Sequence, residues 1–121
     1  MSWYKGILLS IFIASSLPSG AADLLDAQEM AYQQKLDHHM QMIDRTKLVL
    51  DAQEITATPS EQQQALCERL NAYREIVLLG DEFAELAQAQ SMKRVAQFYL
   101  NQQSASFQHA GIALEQWCTS K

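Results

Sequence analysis

After residue 22 the chain contains one proline, Pro59, and only two glycines, Gly80 and Gly111, so almost nothing in that stretch can stop a helix. Ala, Gln, Leu and Glu fill the positions between, and these residues lose little side-chain freedom on entering a helix. The expectation is an all-α fold built from long helices. At 121 residues the chain is the size of one domain, and no stretch has the composition of a linker.

The spacing of apolar residues places the first helix from about Asp23 to Glu54, with Leu25, Tyr32, Leu36, Met40, Ile43 and Leu50 on its inner side. Thr58-Pro59-Ser60-Glu61 reads as the start of a second helix: Thr58 as N-cap, Pro59 at the first helical position and Glu61 completing a capping box. Leu66, Leu70, Tyr73 and Val77 form its expected buried stripe. Gly80 then reads as a C-terminal cap, and Asp81 as the next N-cap. A third helix follows with Phe83, Ala87, Val95, Phe98 and Tyr99 inward. Leu-Asp-Ala-Gln-Glu occurs at residues 25–29 and again at 50–54, but the flanks do not repeat, so a solenoid is not expected.

The beginning of the chain has the form of a secretory signal. Lys5 precedes an apolar run from Gly6 to Ala14, then Pro18 and the small residues Gly20, Ala21 and Ala22, which places cleavage after Ala21 or Ala22. The expected division is a signal peptide over 1–22 and a helical domain over 23–121. The apolar run is shorter than the roughly 20 residues needed to span a bilayer, and no later segment is apolar enough to do so. The expected location is the periplasm or the exterior.

In an exported chain an even cysteine count favours a disulfide, here Cys67 with Cys118. That bond tests the topology. Measured from Gly80, Cys67 lies about 20 Å back along helix two, whereas an unbroken third helix would carry Cys118 about 57 Å away. Bonded cysteines need Cα atoms within about 7 Å. A break at Gln102-Gln103-Ser104-Ala105-Ser106, followed by a fourth helix from about Ser106 to Trp117, returns Cys118 toward Cys67. Phe107, Ala110, Gly111 and Leu114 would then face inward. The expected architecture is an antiparallel four-helix bundle with one intramolecular disulfide; the other reading is a bridge between two chains. In the chain-entropy picture a loop of about 50 residues stabilises by roughly 4 kcal/mol.

The formal charge is −5, or −6 once Lys5 leaves with the signal, and the lysines and arginines are scattered singly. A nucleic-acid partner, which needs a basic face, is therefore not expected. His38 and His39, between Asp37 and Met40, form the densest group of metal-ligating side chains. On a helix His38 and Met42 share a side while His39 points elsewhere, so the group offers at most two ligands. Ordinary packing accounts for it, and no resident metal or cofactor is expected. His109 facing Met92 would resemble a haem axial pair, but no Cys-x-x-Cys-His motif accompanies it.

No Gly-x-Ser-x-Gly elbow is present, and a disulfide removes the thiolate nucleophile, so no enzyme is expected. Arg69 with Arg74 and Lys93 with Arg94 would bind an anion only by converging. Tyr99 and Trp117 are candidate interface residues, with Trp117 alternatively covering the disulfide. What remains is a non-enzymatic helical bundle that binds another protein, as an inhibitor, an immunity factor or an envelope accessory protein. A small-ligand or metal-binding bundle using His38, His39 and Met42 is the alternative. A first helix about 48 Å long could outreach its neighbours, making a homodimer through that helix a secondary expectation.

Overall fold

A computed structural model describes residues 19–119. Of the expected signal peptide over 1–22, residues 1–18 lie outside the described residues, and Ser19 to Ala22 form the start of α1. The described chain is all-helical: α1 spans Ser19–Leu50, α2 Pro59–Glu82, α3 Ala87–His109 and α4 Leu114–Thr119. Contacts divide the chain after Ala31. In the first unit, every side chain from Asp23 to Ala31 is exposed, including Leu25, which the apolar spacing had placed inside. In the second unit, from Tyr32 onward, the rest of α1 packs with α2 and α3.

No glycine or proline interrupts residues 21–58, and α1 runs to Leu50 rather than Glu54. Pro59 holds the preceding Thr58 in extended backbone, at φ −69° and ψ 159°. The Thr58 hydroxyl oxygen accepts the Glu61 amide at 3.1 Å, as the capping signal requires. The same hydroxyl donates to the Glu61 carboxylate at 3.0 Å, in place of the reciprocal bond of a full capping box.

Gly80 does not end α2. The helix continues to Glu82, Asp81 lies inside it, and the cap is Phe83, whose amide donates to the Leu79 carbonyl at 2.8 Å. Leu86, without a side-chain cap bond, precedes α3. Gly80 is needed for closeness: a Cβ there would lie 2.7 Å from the Cβ of Lys93 on α3. Ala65, Ala72, Ala89 and Ala96 are buried on the same two helices, so small side chains let α2 and α3 approach closely. Larger groups, Tyr32, Leu36 and Ile43, fill the α1 side of the core, with Leu70, Ile76, Leu79 and Leu86 buried as well.

The paired contacts run in opposite order along successive helices. Tyr32 meets Phe83, Lys35 meets Glu82 and Thr46 meets Arg69, so α1 and α2 point in opposite directions. Gly80 meets Lys93 and Tyr73 meets Tyr99, which reverses α3 in turn. The C-terminal end of α2 carries two carboxylates, Asp81 and Glu82, where the helix dipole disfavours negative charge. Lys93 of α3 and Lys35 of α1 answer them, each at 2.6 Å. Such exposed pairs are each worth about 0–1 kcal/mol and act mainly on register. Gln90 donates to the free Gly80 carbonyl at 2.7 Å, satisfying one of the acceptors a helix end leaves open.

Helix α3 does not break at 102–106. Gln and Ser are tolerated within a helix, and it continues to His109. It stops at Gly111, which has φ +72°, while the Gly111 amide donates to Gln108 and the Ile112 amide to Phe107. That is a Schellman motif, with glycine at the left-handed position the motif favours. The fourth helix exists but has six residues, none buried. The cysteines are bonded within the chain, with Cα atoms 5.6 Å apart. From the α2–α3 turn, Cys67 lies about 22 Å back along α2 and His109 about 33 Å along α3. The overshoot is cancelled by a turn and a short returning α4.

Candidate interaction face and disulfide cleft

The His38 and His39 rings sit edge to face with centroids 5.3 Å apart, His38 exposed and His39 half-buried. Burial lowers the His39 pKa, Glu75 of α2 raises it in opposition, and the neighbouring His38 lowers it further. Met42 lines a cleft beside the disulfide that neither histidine lines. Among the described residues no group of three or more His, Cys, Asp or Glu side chains is placed to hold a metal ion. Met92 and His109 prove to share α3, seventeen positions and so about 25 Å apart, which removes the haem-like pairing.

The four cations do not converge. Arg69, nearly buried, donates to Asp51 at 2.8 and 3.3 Å and to the Thr46 hydroxyl at 2.7 Å. Burial alone would lower its pKa, but Asp51 and Tyr99 together outweigh that and raise it, so this cation is locked into structure. Tyr99 lies against Tyr73, with ring centroids 4.2 Å apart. Burial and the Tyr99 ring raise the Tyr73 pKa, against the opposing effect of Arg69 and Lys47. Lys93 is held by Asp81, while Arg74 and Arg94 are exposed.

Among the described residues one buried side-chain polar atom lacks a partner. Tyr32 is 1% exposed, and its hydroxyl makes no hydrogen bond. Burial raises its pKa, keeping the phenol neutral.

The outer side of α3 presents large apolar side chains to solvent. Val95 and Phe98, expected in the core, are 55% and 65% exposed. The helix instead buries Ala89 and Ala96. Gln88, Ser91, Val95, Phe98, Gln102 and Ala105 recur at alternating steps of three and four, and all are exposed. That is the spacing by which one helix offers a seam to another. From Ala87 to His109 there is no acidic residue, although the whole chain carries −5. Arg94 is the only exposed lysine or arginine flanking the seam. A strip depleted in charge, with an exposed aromatic residue at its centre, has the composition of an interface core. The hydrophobic spacing alone could not show this, because it assigns bulky residues to the interior by default.

At the other end, Cys67 and Cys118 line an open cleft of about 570 Å³ together with Met42, Gln63, Gln64 and Asn71. Trp117 lies edge-on to Phe107, with centroids 5.2 Å apart, and its carbonyl accepts from Gln63 at 2.6 Å. Of the four residues expected to face inward here, Phe107 and Leu114 are half-buried, while Ala110 and Gly111 are exposed. No helix of the described residues is long and apolar enough to cross a membrane. Comparison with known families, characterised proteins and solved structures finds no match to this chain.

Proposed function

We propose that this is an exported, non-enzymatic binding protein that lays the seam of α3 against a helix of a partner protein. The observation that carries the reading is Phe98, an aromatic side chain 65% exposed at the middle of an acid-free helix face. Aromatic groups in that setting are the residues that most often dominate binding energy. The form of the leader and the disulfide support export. A partner helix with apolar seam residues and acidic flanks fits best, because Arg94 favours that charge and no carboxylate on α3 repels it. An inhibitor, an immunity factor and an envelope accessory protein all work by contact of this kind.

A photo-crosslinking amino acid placed at position 98, with position 48 as control, tests the reading in the exporting cell. Leu48 is 80% exposed on α1 and lies outside the seam. The expected result is one discrete adduct from position 98, absent from position 48 and lost on Val95→Glu. Equal labelling from both positions, or none from 98, would sink the reading. An adduct of twice the chain mass would make the seam a self-association surface.

A further inference from the structure

We propose that the Cys67–Cys118 disulfide is a thiol-exchange site, and that its reduction by a dithiol releases α4 while the core of the molecule stays folded. The inference is independent of the α3 reading. Its first support is position: both cysteines line an open cleft, where a reductant can reach the bond. Its second is the separation of this bond from the core. The buried cluster runs from Tyr32 to Ala96 and includes no residue of α4, and α4 has no buried residue of its own.

The third support is how little else holds α4 in place. Besides the disulfide and close backbone approach, the hydrogen bonds and ring contacts that tie it to α2 and α3 among the described residues are the Gln63 bond to the Trp117 carbonyl and the edge contact of Trp117 with Phe107, with Leu114 and Trp117 only half-buried. The Thr119 hydroxyl bonds only within α4. Six residues are too few to sustain a helix in water unaided, since isolated helices shorter than about 12 residues are marginal. Gly111 supplies a hinge at φ +72° with open space around it. Release of α4 would uncover the half-buried Phe107 and Leu100, beside which Leu114 and Glu115 lie.

The exchange balances as follows. A thiolate of the dithiol attacks one cysteine sulfur, breaking the S–S bond and forming a mixed disulfide, and the other cysteine leaves and takes up a proton. The second thiol of the reductant then displaces the first cysteine. The protein gains two thiols, and the reductant becomes its own cyclic disulfide.

Hydrogen exchange on the full exported protein, with and without dithiothreitol and no denaturant, tests this. The Trp117 amide, which donates to Ala113 at 2.9 Å, is the reporter for α4, and the amides of Ile76 and Ala89 report on the core. The expected result is loss of protection at Trp117 with protection retained at Ile76 and Ala89. The Cys67→Ser/Cys118→Ser variant should show the same pattern without reductant. Three results would overturn the proposal: a disulfide that resists dithiothreitol until denaturant is added, a Trp117 amide still protected after reduction, or a core that opens together with α4.

Discussion

The two ends of α3 are held by different physics. Its first half packs through Ala89 and Ala96 against a close-lying α2, with Gly80 meeting Lys93, and is bound by dispersion and apolar burial over many small contacts. Its last turns meet α4, a helix with no buried residue that a disulfide ties to α2. The lesson is that a disulfide need not mark the core of a small helical protein. Here it lies at a six-residue helix that buries no side chain.

The contrast breaks most visibly at Ile76, which is 0% exposed. Ile76→Ala should cost about 2–5 kcal/mol and lower the urea midpoint for the whole domain, as for other large-to-small core changes. A smaller loss would mean that the core is looser than its burial indicates. Gly80→Ala comes next. The added methyl should force α2 and α3 apart at a cost of about 1–3 kcal/mol, partly offset by the better helix propensity of alanine. A stabilised Gly80→Ala protein would show that the close approach is dispensable.

The serine variant of the cysteine pair should lower global stability by about 1–2 kcal/mol rather than the roughly 4 kcal/mol of the full loop. In the folded protein the bond closes only a short tail, so the folded state regains part of the freedom that the unfolded chain gains. Urea unfolding of the variant measures this directly.

The smallest effect concerns pH. The His39 pKa is lowered from the ordinary 6.5 in the folded protein, mainly by burial. Below that value the unfolded chain takes up a proton that the folded chain resists. The stability His39 contributes is therefore complete above pH 6.5 and declines as pH falls through its folded value. Thermal melts between neutral and mildly acidic pH should show a shallow loss that His39→Gln reduces.

Much of the fold was legible in the residues, and the failures have physical causes. Thr58, Pro59 and Glu61 gave an unambiguous start because three separate signals coincide within four positions. The disulfide pairing was legible as well, and it required a returning fourth segment. Glycine misled twice. At Gly80 it provides space for Lys93, and at Gly111 it turns the chain, and nothing local separates the two roles. The polar run at 102–106 looked like a break because turn residues and tolerated helix residues overlap.

The α3 stripe was misread for another reason. Close packing selects Ala89 and Ala96 and leaves Val95 and Phe98 outside, the reverse of a ranking by hydrophobicity. The candidate face was therefore hidden in the sequence as apparent core. The Met92 and His109 pairing failed with the helix boundary on which it depended.

The close meeting of α2 and α3 at Gly80 also bears on the order in which the molecule assembles. The bond from Gln90 to Gly80 spans ten positions and that from Lys93 to Asp81 twelve, whereas the Lys35 contact with Glu82 spans 47. Short loops close at lower entropic cost, so the α2–α3 hairpin is the natural nucleus. Helix α1 then docks on a preformed surface, and Cys118 meets Cys67 once the hairpin has brought them level. Oxidation would thus follow folding and trap a structure already chosen by the glycine contact.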